Sequence, residues 1–157
     1  MLAYDITASD DELKQYNAIR SDLETIARES DYVSLHVPLK ESTLGLIDKN
    51  FLSKMKPTAF LINTSRGKVI NESDLIDALK AKTIAGAGLD VFECEPLDNS
   101  SPLLKMENVI LTPHIDSATI QSFQAAGHLA VSNVHEVLSG RIPKYALNPK
   151  YAGKKNI

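Results

Sequence analysis

The sequence predicts an α/β protein with a parallel sheet covered by helices on both faces. Short runs of apolar residues alternate with longer segments of helical periodicity, which is typical of repeated β-α-β units. The short runs are almost continuously apolar, as in strands that are buried on both sides. With 157 residues, of which 43% are hydrophobic and 24% charged, the chain is long enough to bury a core as a single domain.

Five strands are predicted, and we expect them to form one sheet. Each of them is short and is bounded by polar residues or by a segment that contains proline. They are Leu2–Tyr4, Tyr32–His36, Ala59–Asn63, Ile84–Leu89 and Val109–Leu111.

Two crossover helices are predicted from their N-terminal caps. Ser21 followed by Glu24 forms a capping box, which predicts a helix that runs to about Glu29. Asn71 or Ser73 caps another helix, since both residue types accept hydrogen bonds from the backbone of a first turn.

A short helix and a long one complete the pattern. The helix around Phe51–Met55 ends before Pro57, because proline disfavours helical geometry in the residue before it. Apolar residues at helical spacing predict the longest helix at Ala118–Leu138, and Gly140 terminates it. The remainder, Arg141–Ile157, has no clear period and is expected to be an irregular tail.

Charge and composition exclude several classes of partner. The net charge is −3 and the basic residues are scattered, so no positive field is present to attract nucleic acid. No apolar run approaches the ~18 residues that a membrane helix needs. The beginning of the chain lacks the basic residues of a secretory signal, and the single cysteine, Cys94, has no internal partner. We therefore expect a cytoplasmic protein without a membrane or nucleic-acid partner.

Two motifs are more specific than the pattern of elements. LINTSRG stands at Leu61–Gly67, and GAGLDVFECEPLDNSSPLLKMENVILTPH stands at Gly86–His114. Together they resemble the NAD-dependent D-isomer-specific 2-hydroxyacid dehydrogenases, and the resemblance extends from about Leu2 to Asn148. It implies a Rossmann-type doubly wound parallel sheet with NAD as cofactor, a small 2-hydroxy or 2-keto acid as substrate, and a homodimer.

The resemblance assigns three catalytic residues. Arg66 would hold the carboxylate of a 2-keto acid by paired hydrogen bonds and polarise its carbonyl. His114 would exchange a proton with the substrate oxygen, and Glu95, directly before Pro96, would be its acidic partner. Without the motifs, an arginine before glycine is usually a surface residue and a lone histidine after proline is usually a cap or a core residue. Glu93 is expected to face solvent.

The resemblance also implies a set of cofactor-binding residues. Asp5 closes the first strand, where an acid accepts hydrogen bonds from the adenosine ribose and repels a 2′-phosphate, which favours NAD over NADP. Capping of the turn before Ser9–Glu12 is an equally good reading of Asp5 from sequence alone, and the resemblance favours the cofactor. The complete set is Asp5, Val37, Pro38, Thr43, Thr64, Ser65, Arg66, Asp90, His114 and Ser117.

The remaining histidines are interpreted as structural. His36 lies inside a predicted buried strand, where we expect it to be packed with a backbone partner. His128 and His135 share one side of the long helix without a third ligand, so no metal site is predicted.

Family members carry a Gly-rich phosphate loop and a substrate domain that we do not find in this sequence. We interpret residues 1–117 as a partial NAD-binding domain and 118–157 as a long crossing helix with a tail toward the substrate domain. The chain is expected to begin at the second strand, which would leave a gap between the Leu2 and Ala59 strands. It would then be a fragment of a longer dehydrogenase, a truncated gene product or a portion of the whole protein.

As such a chain, it should be poorly stable or acquire the missing strand from another chain, and alone it should bind NAD weakly and turn over no measurable substrate. The leading function is interconversion of a D-2-hydroxy acid and its 2-keto acid by hydride transfer. The alternative is a non-catalytic NAD(H)-binding or dimerisation module derived from the same family.

Overall fold

The computed structural model describes residues 1–149 and divides into two compact units. The first unit is Met1–Ile115, and the second begins at Asp116. No helix among the described residues combines the length and the apolar character needed to cross a membrane.

The first unit contains two parallel sheets. In the smaller sheet β1 pairs with β2, and in the larger sheet the strand order is β3-β4-β5-β6. The predicted α/β class with parallel strands is therefore confirmed. The strands are β1 Leu2–Ala3, β2 Ile19–Arg20, β3 Tyr32–Leu35, β4 Phe60–Asn63, β5 Gly86–Leu89 and β6 Val109–Leu111.

The prediction of five strands in one sheet is wrong. β2 was not predicted because it has only two residues, both exposed, and therefore carries no apolar run. The expected gap beside the Ala59 strand is also wrong, since β4 is hydrogen-bonded to β3 on one side and to β5 on the other. Among the described strands, the β1-β2 pair is not hydrogen-bonded to the larger sheet.

Five α-helices are described, and each begins at a polar cap. They are α1 Asp10–Gln15, α2 Leu23–Glu29, α3 Lys49–Lys54, α4 Glu72–Lys80 and, in the second unit, α5 Ile120–Leu138. Single 3-10 turns occupy Glu41–Thr43, Gly67–Val69 and Pro102–Lys105. The backbone of residues 141–149 contains no α-helix or strand, and the rest of the predicted tail, residues 150–157, lies outside the described residues.

The caps agree with the sequence in one helix and differ in another. Asn71 caps α4 by accepting from the backbone N–H of Asp74, as one of the two predicted alternatives. The predicted Ser21 and Glu24 box does not form, because Asp22 is the N-cap of α2 and accepts from Thr25 N–H. The carboxylate of Asp22 has the same favourable interaction with the positive end of the helix that the box would have supplied.

The core lies on one face of the larger sheet, under α2, α3 and α4. Val33, Leu61 and Leu75 are among its buried members. The opposite face is exposed in the described structure, where Tyr32 stacks on Phe60 with ring centroids 5.7 Å apart. Within the first unit, the described helices α2, α3 and α4 therefore cover one face of the larger sheet. Tyr32, Phe60 and Ile110 are 69%, 40% and 74% exposed.

Strand register determines where the polar residues of the motifs lie. Asn63 is aligned with Leu89, and Leu89 with Leu111, so β4, β5 and β6 end at the same edge of the sheet. The segments that begin at Thr64, Asp90 and Thr112 therefore leave the sheet side by side. Ligands of open α/β sheets bind at this carboxyl edge.

We expect Gly86→Ala to destabilise the first unit and Gly88→Ala to leave it nearly unchanged. A Cβ at Gly86 would lie 2.4 Å from the carbonyl oxygen of Asn108, whereas at Gly88 the nearest atom is 4.0 Å away, in Ile62. The strain at Gly86 should cost about 1–3 kcal/mol of unfolding free energy, measured by urea titration. Equal effects of the two substitutions would contradict the close approach.

Candidate active site

His114 and Glu95 form an ion pair at the carboxyl edge of the sheet. The Nδ1 atom of His114 lies 2.8 Å from Oε2 of Glu95. The other carboxylate oxygen, Oε1, accepts a hydrogen bond of 3.0 Å from the backbone N–H of Phe92. Both carboxylate oxygens of Glu95 are therefore hydrogen-bonded, and the imidazole nitrogen that can exchange a proton with a ligand is Nε2.

The pair shifts both pKa values in opposite directions. The hydrogen bond and negative charge of Glu95 raise the pKa of His114 above its ordinary value of 6.5. The hydrogen bond from His114, with that from Phe92, lowers the pKa of Glu95. Asp90 adds to the rise at His114, while the positive charge of Arg66 opposes it. Because the folded pKa of His114 is the higher one, its stabilising contribution is present below pH 6.5 and is lost as pH rises through that pKa.

A buried carboxylate at the end of β5 holds the segment that carries His114. Asp90 is only 3% exposed, and its Oδ1 accepts from the hydroxyl of Thr112 at 2.5 Å and from Ile115 N–H at 2.9 Å. Its carbonyl accepts from His114 N–H at 2.8 Å. His114 has a φ of +56°, in the left-handed region where residues other than glycine are uncommon, and these bonds stabilise that backbone.

Arg66 follows β4 in a turn on the same edge. Its side chain is exposed, and its Nη1 donates to the carbonyl of Ser65 at 2.5 Å. The guanidinium influences the pKa values of both Glu95 and His114, so its charge is felt at the pair. The structure therefore brings the three predicted catalytic residues to one edge of the first unit.

The side-chain amide of Asn63 and the glycine at Gly67 were not assigned a role from the sequence. Asn63 is fully buried and hydrogen-bonds along the turn that carries Arg66. Gly67 has no room for a side chain, because an added Cβ would lie 1.8 Å from the carbonyl oxygen of Phe92. The sequence did contain an indication of the role of Asn63, because a polar asparagine ends an apolar run. The close approach at Gly67 joins segments that are distant in sequence, so no local pattern indicates it.

A pocket of about 280 Å³ borders the pair on the first unit. Its wall is mostly apolar, and Thr112 is its one neutral polar side chain. The lining residues are Phe92, Glu95, Pro96, Leu97, Leu104, Leu111, Thr112, Pro113 and His114.

Asp5 organises the turn that follows β1. Its Oδ1 accepts from Thr7 N–H at 2.7 Å, from the Thr7 hydroxyl at 2.8 Å and from Ala8 N–H at 2.9 Å. These bonds, led by that from Ala8, lower its pKa to about 2, so the group is ionised at neutral pH. Asp5 therefore caps this turn, as one of its two interpretations predicted, and its negative charge remains exposed after the strand.

The other predicted cofactor residues lie in varied settings. Thr43 donates its hydroxyl proton to the carbonyl of Pro38 at 2.7 Å, which closes the loop after Val37. Thr64 is half-buried beside Ser65, whose hydroxyl is buried and donates to Asn63. Ser117 belongs to the second unit, where its carbonyl accepts from the hydroxyl of Ser122.

The expectation for His36 is wrong. It lies just beyond β3, is exposed, and its Nε2 is 2.8 Å from the hydroxyl of Ser34, because the face on which Ser34 lies is bare. His128 and His135 are exposed on α5. Glu93 is exposed, as expected.

The parallel sheet and the polar residues at its carboxyl edge define a Rossmann-like α/β domain. The family model for the D-isomer specific 2-hydroxyacid dehydrogenase, NAD binding domain, matches residues 1–116. The chain belongs to this family.

Two curated relatives and one crystal structure illustrate the similarity. A glyoxylate reductase of Thermofilum pendens is 51% identical over 128 residues, which are 82% of this chain and 38% of that protein. A glyoxylate/hydroxypyruvate reductase B of Enterobacter agglomerans is 47% identical over 136 residues, 87% of this chain and 42% of that protein. The NAD complexed form of a D-isomer specific 2-hydroxyacid dehydrogenase from Lactobacillus delbrueckii ssp. bulgaricus matches with a TM-score of 0.83 at 31% identity, covering 93% of this chain and 48% of that one. The chain thus spans less than half the length of these three relatives.

We expect Glu95→Gln to lower the pKa of His114, because the substitution removes the charge that raises it most. The measurement is an NMR titration of the imidazole carbon shifts. Glu93→Gln, two residues away on the exposed side of the loop, is the matched control and should leave the midpoint in place. An unchanged midpoint in Glu95→Gln would show that the ion pair does not form in solution.

Proposed function

We propose that this chain carries the acid-base and substrate-orienting groups of an NAD-dependent oxidoreductase that interconverts a D-2-hydroxy acid and its 2-keto acid. The observation that carries the proposal is the 2.8 Å contact between His114 Nδ1 and Glu95 Oε2, with the charge of Arg66 felt at the same pair. Glyoxylate and hydroxypyruvate, named by the relatives, are the first substrates to test.

The proton transfer follows from the state of His114. The raised pKa keeps more of the imidazole protonated near neutral pH, so Nε2 can donate its proton to the carbonyl oxygen as the 2-keto acid is reduced. In the reverse direction the neutral Nε2 removes the proton of the 2-hydroxyl. Glu95 stabilises the imidazolium and fixes the ring through Nδ1, which keeps Nε2 directed away from the acid.

Arg66 is proposed to bind the carboxylate of the substrate. Its guanidinium presents paired donors whose geometry matches a carboxylate, and its exposed position leaves most of them available to a ligand. A 2-keto acid held this way has its carbonyl beside the bound carboxylate, and His114, whose pKa the charge of Arg66 lowers, is the proposed proton donor to that carbonyl.

Two carboxylates that follow strands, one in each sheet, offer groups to a dinucleotide. Asp5 offers an exposed, ionised carboxylate at the end of β1 for a ribose diol, and Asp90 lies at the end of β5 for the nicotinamide side. When bound, the nicotinamide supplies or accepts the hydride at C2 of the substrate. The charge of Asp5 favours NAD, because it repels the 2′-phosphate of NADP.

A chimaera tests the catalytic assignment. This chain replaces the matching segment of the Enterobacter agglomerans reductase, and NADH oxidation with glyoxylate is followed. We expect activity in the chimaera, a fall of about 10²–10⁴-fold in kcat/KM for His114→Asn, and about 10–100-fold for Arg66→Lys, chiefly through KM.

Exposed residues of the same types provide the controls for the chimaera. His36→Asn and Arg28→Lys should leave the rate unchanged, since His36 contacts Ser34 and Arg28 pairs with Glu24 on α2. A folded chimaera that oxidises no NADH, or one that is indifferent to His114→Asn, would refute the catalytic assignment.

Asp5→Asn in the same chimaera should relax the choice of cofactor. The amide oxygen of asparagine can still accept the bonds from Thr7 and Ala8, so the turn is kept while the charge is lost. The ratio of kcat/KM for NADPH to that for NADH should rise roughly tenfold. Asp11→Asn, exposed on α1, is the control, and a ratio that does not change would remove Asp5 from the cofactor site.

A further inference from the structure

Asn63 is a buried polar side chain whose bonds are all made within one turn. It is 0% exposed at the end of β4. Its Oδ1 accepts from the backbone N–H of Ser65 at 3.0 Å and from the Ser65 hydroxyl at 2.9 Å. Its Nδ2 donates to the carbonyl of Arg66 at 3.0 Å. Both acceptor sites and one donor of the amide are therefore used to shape the three residues that follow it.

The same turn rests against the loop that carries Glu95. Gly67 allows the two backbones to touch, because a Cβ there would lie 1.8 Å from Phe92 O and 2.5 Å from Glu93 N. The N–H of Glu93 donates to the carboxylate of Glu72 at 3.1 Å, which ties that loop to the first turn of α4. The turn and the loop thus form one packed unit.

We infer that Asn63 is a positioning residue for Arg66. The guanidinium is exposed and its hydrogen bond, to the carbonyl of Ser65, is made inside the turn that Asn63 builds. Asn63 itself is buried, so its amide acts through the turn that carries Arg66. The inference rests on the proposed role of Arg66 in binding a 2-keto acid.

Two quantities report on the position of Arg66. The first is affinity for oxamate, a stable 2-oxo carboxylate. The second is the pKa of His114, which Glu95 and Asp90 raise and Arg66 lowers, so displacement of the guanidinium should raise it further. The affinity measurement requires a ligand, whereas the pKa measurement does not. A general loss of stability should change neither the affinity nor the pKa while the chain remains folded.

The experiment compares three variants of the full chain by NMR. Arg66→Ala removes the guanidinium, and Asn63→Ala removes the hydrogen bonds that shape the turn carrying Arg66. Asn108→Ala is the matched control, because Nδ2 of Asn108 also donates to a backbone carbonyl, that of Ala85 at 3.2 Å, on the opposite edge of the sheet. We expect Asn63→Ala to weaken oxamate binding about tenfold and to raise the pKa of His114, as Arg66→Ala does. Asn108→Ala should change neither.

The outcomes separate the two proposals. If Arg66→Ala changes both quantities and Asn63→Ala changes neither, the positioning role is overturned and the proposed function stands. If the unsubstituted chain binds oxamate and Arg66→Ala changes neither quantity, Arg66 is not part of the site, and the proposed function falls together with the inference.

A measurement on the unsubstituted chain covers the case in which Asn63→Ala does not fold. The hydrogen bond predicts a through-bond coupling between Nδ2 of Asn63 and the carbonyl carbon of Arg66. Oxamate should shift the side-chain amide resonances of Asn63, although the amide is buried away from the ligand. Absence of either signal overturns the inference.

Discussion

The site depends on a buried aspartate, Asp90, whose backbone and carboxylate together join three strand ends. The backbone N–H of Asp90 donates to the carbonyl of Asn63 at the end of β4, and its Oδ1 accepts from Thr112 and Ile115 after β6. A carboxylate with 3% exposure is costly unless it is fully hydrogen-bonded, so the bonds that satisfy Asp90 also fix where the chain leaves the sheet. His114 takes its left-handed backbone from this arrangement, since its N–H is bonded to the carbonyl of Asp90.

Charge on the pair is balanced from two sides. Glu95 and Asp90 favour the imidazolium of His114, while Arg66 opposes it. Removal of the arginine would raise the pKa of His114 and favour its protonated form. A group that both donates and accepts a proton, however, needs a pKa close to the working pH. The cation proposed to bind the substrate therefore also limits how far the acid raises the pKa of the histidine.

The sequence was sufficient for features that depend on local chemistry. Apolar runs located β3 to β6, and an asparagine before a helical pattern located the cap of α4. The motifs located Glu95 and His114, which the structure places in contact across 19 residues of sequence. Features that depend on distant partners were missed. β2 consists of two exposed residues that are ordered by pairing with β1, and no local pattern indicates such a strand.

Burial was the least predictable property, for a related reason. Tyr32, Phe60 and His36 belong to runs that read as buried strands, yet the face on which Tyr32 and Phe60 lie is bare in the described structure. An apolar run indicates that its residues can be buried, whereas burial itself requires a neighbouring element that packs on them. The approach of Gly67 to Phe92 is of the same kind, because it is decided by two segments of the fold together.

The bare face and the strand-end site are structurally independent of each other. Packing against α2, α3 and α4 holds the larger sheet from one side, and the site is assembled from hydrogen bonds between consecutive strand ends. None of the bonds that place Arg66, Glu95 and His114 involves Tyr32, Phe60 or Ile110. Whatever covers that face would therefore add stability to the sheet without having to build the proton-transfer pair, which the residues of the first unit already bring into contact.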